Sequence, residues 1–128
     1  MPTKIKVLTI DDEWTHIQLL KAILLQAGFE PITEGDSRNA VQRAREAQPD
    51  AILLDVNMPA PSGYEVFDQL RSDEATRNIP IIMVTARAQK SDLERGAALG
   101  VDDYLTKPFE PEELTACIRR AIAKRAAA

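Results

Sequence analysis

Asp11, Asp12 and Glu13 follow the first short apolar run of the 128-residue chain, Asp55 and Asn57 the third, Thr85 the fourth and Lys107 the fifth. Each has an ordinary role when taken alone. Asp11 or Asp12 suits a helix cap, worth about 0.5–2 kcal/mol; Asp55 suits a turn, Thr85 a strand and Lys107 a solvated loop. Their conjunction says more. Two carboxylates about 4 Å apart repel by ~4 kcal/mol at an effective dielectric of about 20, so three on one rim call for a cation. Oxygen donors without Cys or His suit Mg²⁺ or Mn²⁺ over zinc. A metal and an ammonium together neutralise phosphoryl oxygens, and a hydroxyl adds a hydrogen bond. A carboxylate in such a site can attack phosphorus and form an acyl phosphate. Asp55 is the best placed for attack, because it ends a central buried strand. Asp11 and Asp12 are adjacent and better placed to hold metal.

The elements that must bring these residues together are legible in the alternation of two residue periods. Residues 4–10 (KIKVLTI) form a strand, and residues 13–27 switch to helical spacing with an apolar stripe of Trp14, Ile17, Leu20, Leu24 and Ala27. Gly28 closes that helix. Residues 29–33 read as a strand, 37–48 as a helix ended by Pro49, and 51–54 (AILL) as a strand buried on both faces. After the Pro-rich loop 57–62 come a helix at 63–71, a strand at 79–84 and a helix at 89–99 ended by Gly100. A strand at 103–106 and a helix at 110–124 complete five β–α repeats. Short connections then require a parallel sheet with right-handed crossovers and helices on both faces. Ligands of such sheets sit beyond the C-terminal ends of the strands, where all the residues above stand.

Composition narrows the field without selecting. The length suits one domain, residues 1–128, with 45% hydrophobic and 28% charged residues and a net charge of −4. No apolar run approaches the ~20 residues of a membrane span, and no signal-peptide pattern opens the chain. One cysteine cannot make a disulfide or a CxxC site, so a cytoplasmic location is expected. One histidine rules out His-rich metal sites, and the acidic balance argues against a nucleic-acid-binding face.

Asp11-Asp12-Glu13, Asp55-Val56-Asn57-Met58-Pro59 with Gly63, Thr85-Ala86, and Asp103-Tyr104-Leu105-Thr106-Lys107-Pro108-Phe109, in this order, carry a family resemblance. The chain resembles the response regulator receiver domains of two-component signalling over essentially its whole length. The resemblance implies a flavodoxin-like doubly wound α/β fold, a five-stranded parallel sheet of order 2-1-3-4-5 with five helices on two faces. It implies that Asp55 accepts phosphate from a histidine kinase or a histidine phosphotransfer protein. Mg²⁺ would be held by Asp12, Asp55 and the backbone carbonyl of Asn57, with Asp11 acting through water. Lys107 and Thr85 would contact the phosphoryl oxygens, Thr85 and Tyr104 would switch together, and a cis peptide would precede Pro108. A downstream output protein or domain would read the last-helix side. Asn57 and Arg87 flank the acyl phosphate in the family and are expected to tune its lifetime.

Some features depart from the family or stand beside it. The loop before Gly63 lacks the usual Met-Asp pair, which should change loop shape and not chemistry. Asp102, Asp103, Glu113 and Arg119 match the arginine–carboxylate dimer of DNA-binding relatives, but Leu93 and Cys117 stand where arginines are expected. The expectation is a monomer or a weak phosphorylation-dependent dimer, and the short tail favours a stand-alone regulator. His16 reads as a surface residue, Trp14 as an edge-packing one and Cys117 as a small helix residue without an activating neighbour. The competing function is an aspartyl-phosphate-forming phosphohydrolase of small molecules, which usually carries DxD after the first strand where this chain has Asp11-Asp12.

Overall fold

The computed structural model describes residues 4–86, 94 and 97–127. Its strands are β1 (Lys6–Ile10), β2 (Glu30–Glu34), β3 (Ala51–Asp55), β4 (Ile81–Thr85) and β5 (Asp103–Thr106). They form one parallel sheet in the order β2-β1-β3-β4-β5. The helices are α1 (Trp14–Gln26), α2 (Ala40–Ala47), α3 (Gly63–Ser72), α4 (helical residues 94 and 97–99) and α5 (Pro111–Ala126). This is the flavodoxin-like architecture expected from the sequence.

Successive strand residues feed opposite faces, as the pleat requires. Leu8, Ile10, Ile52, Leu54 and Met83 pack with Val66, Phe67 and Leu70 of α3 and Ala40 and Ala44 of α2. Val7, Leu53, Ile82 and Val84 pack with Leu20 and Leu24 of α1 and Leu114, Ile118 and Ala121 of α5. Two apolar layers therefore clamp one sheet, and the strand ends stay registered to each other.

Several boundaries move. β4 reaches Thr85 and β3 reaches Asp55, so both side chains belong to the strands instead of the loops after them. The helix read over 37–48 divides into a 3₁₀ turn at Ser37–Asn39 and a shorter α2. The Asp36 side chain accepts the Arg38 amide and fixes that turn. Gln48, at φ 46, ends α2 before Pro49 is reached. Gly28 and Gly100 take the left-handed positions expected of them. Trp14 departs most. It is 71% exposed, while Ile17, Leu20 and Leu24 carry the buried stripe of α1. Among the described residues no helix is long and apolar enough to cross a membrane.

Candidate functional site

The parallel pairing of all five strands places the chemical residues on one edge of the sheet. β1 ends at Ile10, and the Asp11 amide, bonded to the Glu34 carbonyl at 3.2 Å, carries the acidic pair over the rim. The helix cap falls on Glu13, which makes no side-chain cap bond, so neither Asp11 nor Asp12 is consumed as a cap. Asp11 Oδ1 instead accepts the Glu13 amide at 2.9 Å. The Lys107 amide donates to the Thr85 carbonyl at 2.7 Å, which fixes the lysine backbone beside β4. The peptide joining Lys107 to Pro108 is cis, as the resemblance implied.

Asp11, Asp12 and Asp55 each bring a carboxylate oxygen within 4.8 Å of the others. Asp11 and Asp55 are buried, at 2% and 6% exposure, and Asp12 is open to solvent. Burial first, and then the Asp11 charge, push the Asp55 carboxyl up from its usual 3.8 to about 6, against the pull of Lys107 and the Asn57 amide. That amide donates to Asp55 Oδ1 at 3.2 Å. An all-oxygen donor set with two desolvated carboxylates fits a hard divalent cation of the Mg²⁺ kind. The geometry rules out a merely solvated acidic surface, since two of the three groups have left water.

Thr85 is fully buried, and its Oγ1 accepts a hydrogen bond from Asn57 Nδ2 at 3.2 Å. Tyr104 is half-buried against the α2–α3 layer, with its hydroxyl 3.4 Å from that of Tyr64 in α3. Lys107 pairs with Asp11 at 3.7 Å, and among the described residues its ion pair is with that carboxylate and not with Asp55. Gly63 lets α3 approach the strand: a Cβ there would lie 2.3 Å from the Asp55 carbonyl oxygen. Cys117 is buried, and desolvation with the Asp103 carboxylate holds its thiol up at about 12.

The fold brings Asp11, Asp12, Asp55, Asn57, Thr85 and Lys107 together at one edge of the sheet. Arg87 and Leu93 lie outside the described residues. His16 was missed. It is not a free surface residue: its Nδ1 stands 3.0 Å from Lys107 Nζ and 3.3 Å from Asp11 Oδ2. The only sequence signal was its place one helical turn after Glu13, whose Oε2 lies 3.4 Å from His16 Nε2. Tyr64 was missed too, because its partner Tyr104 is remote in sequence.

Residues 7–119 match the family model of the response regulator receiver domain. The phosphate regulon transcriptional regulatory protein PhoB of Escherichia coli is 40% identical over 114 residues, 89% of this chain and 50% of PhoB. The chain spans about half the length of the curated relatives it matches. Among solved structures, chemotaxis protein CheY4 of Vibrio cholerae superposes with a TM-score of 0.86 at 34% identity, covering 93% of this chain and 99% of CheY4. The receiver domain of the sensor histidine kinase PA1611 of Pseudomonas aeruginosa gives 0.86 at 32% identity, covering 94% and 99%, and was crystallised with magnesium in its active-site cleft.

Proposed function

The chain belongs to the response regulator receiver domain family, and from that premise we propose that Asp55 is its phosphoacceptor. The observation that carries this reading is the position of Asp55: the last residue of the central strand, 6% exposed, facing Asp11 and Asp12 across an oxygen cluster. The donor is a phosphohistidine of a histidine kinase or phosphotransfer protein. An Asp55 carboxylate oxygen attacks phosphorus, the P–N bond breaks as the P–O bond forms, and the leaving imidazole keeps the electron pair and takes up a proton. Mg²⁺, held by Asp12, Asp55, the Asn57 carbonyl and, through water, Asp11, would neutralise the phosphoryl oxygens. Mn²⁺ satisfies the same donors.

Lys107 and Thr85 then bind the phosphoryl oxygens. Thr85 must leave the Asn57 amide to do so, and Tyr104 follows inward, reshaping the β5–α5 side that an output protein or domain reads. This is a local charge biasing a two-state element. Asn57 and Arg87 set the lifetime of the acyl phosphate, which the domain both forms and slowly hydrolyses. We place residues 1–128 as one cytoplasmic receiver. Its net charge of −4 gives no overall electrostatic attraction for nucleic acid. Family membership favours this reading over the phosphohydrolase.

The test is incubation with Mg²⁺ and acetyl phosphate. A stoichiometric, base-labile adduct that is lost in Asp55→Asn supports the assignment. A full adduct in that variant, or continuous turnover of small phosphorylated molecules, refutes it.

A further inference from the structure

The Lys107 ammonium carries three donors and no acceptor, and it lies 3.0 Å from His16 Nδ1 and 3.7 Å from Asp11 Oδ2, which are themselves 3.3 Å apart; a proton of the ammonium shared between the nitrogen and the carboxylate makes Nδ1 an acceptor. The proton of the ring then sits on Nε2, facing Glu13 Oε2 at 3.4 Å across one helical turn. Glu13 stands within ion-pair distance of one side of the ring, and the lysine meets the other. The His16 and Lys107 side chains are 91 residues apart in sequence, so only the tertiary fold brings the first turn of α1 to the loop that follows β5. The His16 side chain is 37% exposed and that of Lys107 19%, so this contact is partly shielded from water. The lysine backbone is tied to Thr85, which leaves the side chain as the moving part.

We propose that His16 is a positioning residue of the phosphoryl-transfer site: its Nδ1 retains the Lys107 ammonium on the Asp11 side of the cluster until a phosphoryl group on Asp55 takes it over. The proposal rests on the phosphoacceptor reading above and deepens it. A phosphoryl oxygen must win the ammonium from His16, so the imidazole weakens phosphoryl binding and sets how readily the domain is activated. Nothing in this role requires His16 to touch the phosphoryl group.

The test uses beryllofluoride, a phosphoryl mimic, titrated at saturating Mg²⁺ and followed by the fluorescence of Trp14, the single tryptophan. His16→Leu keeps the bulk and removes the acceptor; it should bind the mimic about fivefold more tightly, the change one net hydrogen bond carries. His16→Gln, whose amide oxygen can accept in the same place, should recover most of the wild-type value. In a Lys107→Ala background the effect of His16→Leu should vanish. In the metal-free protein the ¹⁵N signal of Lys107 Nζ should shift in His16→Leu and return toward wild type in His16→Gln, a readout that a packing role would not move. An unchanged affinity in His16→Leu, or the same gain without Lys107, overturns the proposal. Wild-type protein that fails to bind beryllofluoride overturns the phosphoacceptor reading as well; wild-type binding with an unaltered variant removes only the role of His16.

Discussion

At the residue scale, the chemistry of this domain comes from carboxylates kept out of water. Asp55 is held in its folded state at about 6 against 3.8 when unperturbed. A raised folded value means the fold binds the proton more tightly than the unfolded chain does. The stability this contributes is complete below about pH 4 and is lost as pH rises through 6. At about pH 7.5 the metal-free protein therefore carries a penalty that Asp55→Asn lacks. The variant should be more stable there by about 1–2 kcal/mol, solvent screening at the mouth of the site allowed for. Urea unfolding with a chelator present checks it, and the gain should shrink to nothing on acidification toward pH 4. A variant no more stable at neutral pH would mean the charge is already compensated. Added Mg²⁺ should stabilise the wild type more than the variant, because it binds the folded state through the very oxygen that is removed.

At the element scale, the site is only as well built as the junction between β3 and α3. Ser62 caps α3 by accepting the Glu65 amide at 3.3 Å, and Gly63 then lies directly on the strand. A methyl group at Gly63 would meet the Asp55 carbonyl at 2.3 Å and Val56 Cα at 2.6 Å, both backbone and unable to swing aside. Gly63→Ala should cost about 2–3 kcal/mol in urea unfolding. It should also weaken Mg²⁺-dependent beryllofluoride binding by about tenfold or more, since the displaced atoms include Asp55 itself. Wild-type values for both would show that α3 can slide without moving the site. The presence of Gly63 was plain in the sequence, but its reason was not: only the approach of the helix to the strand reveals which backbone atoms exclude a side chain.

At the scale of the whole molecule, the end of the sheet opposite the site is tied by one carboxylate. Asp102 accepts from Arg71 of α3 at 2.7 Å, from the Ile81 amide of β4 at 2.8 Å and from Arg125 of α5 at 2.6 Å. Asp103 pairs with Arg120 at 2.9 Å, Glu113 accepts the Glu110 amide in the cap of α5, and Arg119 lies 5.0 Å above the Phe29 ring. All four residues that matched the arginine–carboxylate dimer of DNA-binding relatives thus have partners within their own chain. Exchanging these for partners across an interface would gain little net energy, because each new contact replaces one already made within the chain. Beryllofluoride-loaded protein should therefore sediment as a monomer in the micromolar range. A dimer broken by Asp103→Ala would contradict this.

The parallel α/β class and the residue types gathered near the strand ends were legible along the chain, although the strands β3 and β4 each run one residue further than read. Hydrophobic periods of 2 and 3.6 are local properties, and a parallel sheet delivers every strand's C-terminal end to one edge. The order of Asp11, Asp12, Asp55, Thr85 and Lys107 was enough to predict an oxygen-rich site beside an ammonium. Which partners those groups take depends on how the elements pack. The rotation of α1 over the sheet buries Ile17, Leu20 and Leu24, turns Trp14 into solvent and brings His16 to Lys107. The same is true of the contact between Tyr64 and Tyr104, joined from α3 and β5. Such pairs follow from the angles and distances at which whole elements pack, which no period along a single segment encodes.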